Sequence, residues 1–184
     1  MSTTPLKAKK DLIQNIVFGV SRSGAFQRNK IYNDTLTAKN SKDFKLYLKN
    51  KLSQVLTEII ASPNYSEDNH YETIKQFVKD VSKTNKHILN NSKITIGTAQ
   101  KLINLYWKMS WLLQENVPEP IHCPFDGIII KGLGESVQHI RWTKMDTIKE
   151  YKLLVNAAKI KSDTTSLANW ELIHYNVGNG IVSA

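Results

Sequence analysis

Residues 98–116 are apolar over most of the circumference that a helix would give them. Leu102, Leu105, Tyr106, Met109, Leu112 and Leu113 fall on one face, and Ile103, Trp107 and Trp111 on a second at four-residue spacing. A helix apolar over so much of its girth is buried in the middle of a helical assembly rather than laid on its surface. Tryptophans at this spacing read first as core. The chain therefore needs other helices to wrap this one, and the rest of the sequence supplies them.

Residues 5–20 read as a first helix with Leu12, Ile13, Ile16, Val17 and Val20 on an apolar side, ended by Gly19 and the run Ser21-Arg22-Ser23-Gly24. Residues 28–36 read as a short helix. Ser41 is placed to cap a helix carrying Phe44, Leu48, Leu52, Val55, Leu56 and Ile59, which Pro63 stops. Ser66 caps the next, with Tyr71, Ile74, Phe77, Val78 and Val81 inward. Asn90-Asn91-Ser92 reads as a turn. The run Ile128-Ile129-Ile130 has strand propensity but no partner strand, so a short buried helix is expected. Thr147 with Glu150 resembles a capping box for a helix with Tyr151, Leu154, Val155 and Ala158. A last helix over 166–175 turns Leu167, Trp170 and Ile173 inward, before a loose glycine-containing tail. The expected fold is all-α, one compact helical domain over residues 1–184. A hairpin-like turn and central helix occupy 85–116, and an aspartate-bearing loop 117–132.

Composition narrows the partners. Lys and Arg number 25 against 16 Asp and Glu, a formal charge of +9. Such an excess attracts phosphates at long range and makes binding salt-sensitive, although a basic surface can also be merely solvating. The single cysteine, Cys123, excludes an internal disulfide and a four-cysteine zinc or iron–sulfur site. The first ten residues are polar and basic, unlike a secretory leader. No window approaches the ~20 apolar residues that cross a bilayer. A cytoplasmic protein with no membrane partner, no metal and no cofactor is expected.

Two features carry chemistry. The first is Ile94-Thr95-Ile96-Gly97-Thr98-Ala99-Gln100-Lys101, a glycine turn opening the central helix. Unpaired N–H groups and the positive end of the helix dipole favour a phosphate there, and Lys101 adds a full charge. The plainer reading is a turn at Gly97 with Thr98 as cap. The second is Cys123-Pro124-Phe125-Asp126-Gly127-Ile128-Ile129, which sets a carboxylate among apolar groups. Asp126 is either an N-cap or a functional acid, since an unpaired carboxylate is costly in such surroundings. His122 beside Cys123 invites a nucleophile reading, but no third group orients them, and Cys123 reads as a small buried apolar residue.

Together these features resemble the helix–hairpin–helix superfamily of DNA base-excision glycosylases. In that family a glycine-rich hairpin binds a DNA phosphate, a buried helix follows, and a loop delivers an aspartate at the start of another helix. The likeness spans residues 85–135. It implies a DNA glycosylase acting on a damaged or modified base in duplex DNA, in repair or in defence against invading DNA, as a monomer. Asp126 would be catalytic. Gly97, Thr98, Ala99, Gln100 and Lys101 would contact DNA, with help from Arg22 and Arg28. In straight register Ala99 stands where lyase-competent members carry lysine, which implies a monofunctional enzyme unless Lys101 serves one half-turn on. The hairpin has one glycine where the family has two, and Gly127 stands where many members have threonine. Phe125, His122 and the loop residue Trp142 are the candidate base pocket. Two competitors stay open: a non-catalytic DNA-binding module with the same hairpin, and a helical protein-interaction module.

Overall fold

The structure, a computed structural model, describes residues 4–178, with the backbone alone described at 176–178. Among them are eight α-helices, one 3-10 turn and no strand. The helices are α1 (Pro5–Phe26), α2 (Ala38–Ile60), α3 (Glu67–Asn85), α4 (Ile96–Leu113), α5 (Gly127–Gly132), α6 (Glu135–Gln138), α7 (Ile148–Ser162) and α8 (Leu167–Gly178). No helix among the described residues is long and apolar enough to cross a membrane.

Local chemistry starts most of them. Thr4 caps α1 with Pro5 at its first position, and Thr37 caps α2. Ser66 with Asn69 and Thr147 with Glu150 form reciprocal capping boxes for α3 and α7. Asp126 caps α5 by accepting from Ile128 and Ile129 N–H. The three-isoleucine run is therefore helical, with Ile129 and Ile130 in the core.

α4 is the central helix. It packs along α1 and also against α2, α3 and α7. Every residue from Ile96 to Asn104 is buried.

Five expectations fail for identifiable reasons. α1 runs through Gly19 and Gly24 to Phe26 rather than stopping near Val20. Ser21 turns its hydroxyl back to the Val17 carbonyl at 2.7 Å, and Gly24 lies where a Cβ would come 2.8 Å from Leu105. That glycine lets α1 and α4 approach; it does not end a helix. Residues 28–36 are not helical: the chain lies antiparallel to the segment after α3, bridging at Tyr32 and Leu89. The flanking bonds are Asn33 N–H to the Ile88 carbonyl (3.0 Å) and Asn90 N–H to the Ile31 carbonyl (2.8 Å). Thr37, four residues before Ser41, is the cap of α2. α4 stops at Leu113, leaving Leu112 and Leu113 exposed. Ile173 is exposed on α8, whereas Leu167 is buried and Trp170 packs on the core. The glycine-containing tail lies outside the described residues from position 179 onward.

Candidate active site

α4 carries two lysines, Lys101 and Lys108, seven residues and two turns apart, so both project from one face. The loop after α4 folds back onto it. Trp107 Nε1 donates to the Pro118 carbonyl (2.8 Å), and Asn104 Nδ2 donates to the Cys123 carbonyl (3.0 Å). The loop ends at Asp126, whose two oxygens do different things. Oδ1 accepts from the Ile128 and Ile129 amides at 2.9 and 3.1 Å; Oδ2 lies 3.2 Å from Lys101 Nζ. The cap and the ion pair thus coexist on one carboxylate. Lys101 is nearly buried, with 5% of its side chain exposed, and its ammonium also sits 4.4 Å above the Trp142 ring. Burial pulls the Lys101 pKa below its ordinary value, opposed by the Asp126 charge.

Lys108 pairs with Glu171 of α8, Nζ to Oε2 2.5 Å. Burial pushes the Glu171 carboxyl up, and Lys108 opposes that shift. Both pairs line one cavity of about 240 Å³ between α1, α4 and α8. Val20, Leu105 and Met109 supply aliphatic walls, Gln27 an amide, and Tyr175 a ring.

The start of α4 departs from the expected phosphate cradle. The Gly97 N–H donates to the Met145 carbonyl (2.9 Å), the Thr98 N–H to Thr95 Oγ1 (3.1 Å), and the Ala99 N–H to the Thr95 carbonyl (3.0 Å). A Cβ at Gly97 would lie 1.6 Å from the Trp142 carbonyl oxygen. Gly97 therefore admits the turn at 142–145, and Thr98, Ala99 and Gln100 are buried beneath it. None of these four presents an amide to a ligand there. A separate cleft of about 460 Å³ opens over this helix start, lined by Arg28, Lys30, Lys93 and Lys144 with Thr95 and Thr98. Lys93 is paired with Asp146 and Lys30 with Asp34. Arg28 also borders a second cleft with Gly127, Lys131, Arg141 and Trp142. Arg22 is half-buried on α1, where its charge faces the Tyr32 phenol. Between Arg22 and Arg28 the chain is helical as far as Phe26, with Ala25 in the core.

The expected base pocket is also displaced. Phe125 is fully buried and packs edge-on against Tyr151 (ring centroids 5.7 Å apart). His122 is fully buried in another cluster: Nδ1 is 2.8 Å from the Tyr151 hydroxyl and Nε2 is 3.4 Å from Glu67 Oε2. Trp142 is 4% exposed, its face taken by Lys101. Cys123 is a buried free thiol pushed well up by burial, consistent with a packing role. The residues that line the cavity instead include Lys108, Glu171 and Gln27. A lysine at 108, one heptad after Lys101 on the central helix, was the signal for the first; nothing local marked Glu171 as its partner.

Among the described residues, no group of three or more His, Cys, Asp or Glu side chains is arranged to hold a metal ion. No protein-family model, curated protein or solved structure matches this chain.

Proposed function

We propose that the protein is a DNA glycosylase of the helix–hairpin–helix type, with Asp126 and Lys101 as its catalytic pair. The observation that carries this reading is that pair, an amine and a carboxylate 3.2 Å apart in the wall of a cavity. A buried lysine whose pKa is lowered, held beside a charge partner in a concave site, marks a candidate for chemistry.

In this reading the duplex is held through its phosphates by the cleft around Arg28 and Lys144, and one nucleotide is flipped toward α4. The base enters the cavity. Lys108 offers N–H donors and Glu171 an acceptor side by side, a complement to a base edge with an N–H beside a carbonyl. Oxidation and deamination create such edges; the aliphatic walls suit a flat neutral ring better than a cationic alkylated base.

Asp126 stabilises the positive charge that develops on the sugar as the glycosidic bond breaks. With Lys101 rather than water as nucleophile, the enzyme would be lyase-competent rather than monofunctional. The neutral amine bonds to the sugar anomeric carbon as the bond to the base breaks. The base leaves with the bonding electrons and is protonated, and the attached amine then loses a proton. Opening of the sugar gives a Schiff base. Burial lowers the Lys101 pKa against the opposing Asp126 charge, which favours the neutral amine relative to an exposed lysine.

Borohydride trapping tests the nucleophile. Wild type should become covalently joined to a substrate oligonucleotide, and Lys101→Gln should not. Base release without trapping would return the role to water activated by Asp126. The competing binding-module reading rests on the cation-lined cleft, which would hold DNA even with Asp126 as a cap alone.

A further inference from the structure

Gln100 stands next to Lys101 on α4 and is fully buried. Its side-chain amide is spent on the backbone of the loop that ends in Asp126. Oε1 accepts from the Phe125 N–H (3.1 Å) and Nε2 donates to the Phe125 carbonyl (2.7 Å). The same Nε2 donates to the Gly97 carbonyl (3.1 Å). One residue thus has both main-chain groups satisfied by one side chain, as a neighbouring strand would satisfy them. Asn104, one turn on, braces this amide: its Nδ2 reaches Gln100 Oε1 (3.3 Å), the Cys123 carbonyl (3.0 Å) and the Tyr151 hydroxyl (3.0 Å). Its Oδ1 is 2.8 Å from His70 Nε2.

The loop from Gln114 to Asp126 has no regular structure of its own, and α5 spans only six residues. Neither fixes where the Asp126 carboxylate stands relative to α4. We infer that Gln100 is a positioning residue: by holding both backbone groups of Phe125 to α4, it sets Asp126 against Lys101, with Asn104 bracing it. The catalytic consequence rests on the glycosylase reading; the placement of Asp126 does not. A misplacement of about 1 Å in such a pair can cost on the order of 100-fold in rate.

The test is Gln100→Met, which is neutral and close in shape and removes both bonds to Phe125. Lys101 is followed by NMR titration of labelled lysine in wild type, Asp126→Asn and Gln100→Met. The groups facing its ammonium are Asp126, Arg28, Glu171 and the Trp142 ring. Removing the Asp126 charge lowers the Lys101 pKa, and Gln100→Met is expected to lower it in the same direction by at least half as much. Base release should fall about 10- to 100-fold in kcat with DNA affinity retained. An unchanged Lys101 titration in folded Gln100→Met overturns the inference. A wild type inactive on every substrate overturns the glycosylase reading instead, and the titration still decides the placement. If Gln100→Met does not fold, amide exchange of Phe125 in the wild type decides. Protection matching the interior of α4 supports the clamp, and exchange as fast as exposed loop amides overturns it.

Discussion

Lys108 and Glu171 lie 63 residues apart in sequence and form an ion pair with 9% and 2% of their side chains exposed. Removing two charges from water costs more than their attraction returns unless further bonds compensate. Breaking such a pair from one side costs about 3–5 kcal/mol, whereas replacing both partners by apolar groups is often neutral. The double variant Lys108→Met with Glu171→Leu should therefore melt within a few degrees of wild type. Lys108→Met alone should be clearly destabilised. If the pair receives the base, the double variant also loses base release while DNA affinity holds. Thermal melts beside a base-release assay check both halves.

Gly97→Ala probes the approach of the turn at 142–145 to α4. The added methyl has no room against the Trp142 carbonyl. Overpacking here should cost about 3 kcal/mol or more, because the obstacle is backbone and not a flexible side-chain end. A denaturant melt close to that of wild type would contradict the described packing. Gly24→Ala should be milder, since its nearest neighbour is the end of the Leu105 side chain.

Acid should weaken the fold through His70, buried on α3, and His122, buried in the loop against it. Burial holds the His70 pKa down at about 3, and burial also lowers that of His122. Both groups bind protons more readily in the unfolded chain, so stability is complete above the ordinary histidine value and is lost as pH falls toward 3. Glu67, held below the usual carboxylate range chiefly by His122, adds a loss in the same direction at lower pH. Between pH 7.5 and 5, His70 alone should remove about 2 kcal/mol. Melting temperatures followed across that range should fall, and a flat profile would show that His70 accepts its proton in the fold.

DNA binding should weaken steeply with salt. Arg28→Ala and Lys144→Ala should each reduce the slope of log K against log salt by about one and lower affinity for all sequences alike. Lys42→Ala, on the exposed flank of α2, should change the slope little. Equal effects at all three positions would point to diffuse attraction rather than to the cleft over α4.

Helix starts and apolar faces were legible where the cause is local. Ser66, Thr147 and the faces of α3, α4 and α7 follow from residues within one or two turns. The aspartate at the head of the isoleucine run was legible as a cap for the same reason. What could not be read has its cause across an interface. Gly24 answers to Leu105, and Gly97 answers to the Trp142 carbonyl, so neither glycine is the turn it resembles. Residues 28–36 take their shape from pairing beside Leu89. Trp142 is buried because Gly97 admits its backbone, and Glu171 becomes notable only once Lys108 is found opposite it.

The most direct measurement is base release from duplex oligonucleotides carrying oxidised, deaminated and alkylated bases, read as alkali-sensitive abasic sites, with Asp126→Asn alongside. Wild type is expected to release at least one oxidised or deaminated base. Asp126→Asn should lose about 100-fold or more of this activity with DNA affinity retained. No product from wild type on any substrate, with salt-sensitive binding that Asp126→Asn leaves unchanged, would contradict it and leave a DNA-binding module in which Asp126 only starts α5.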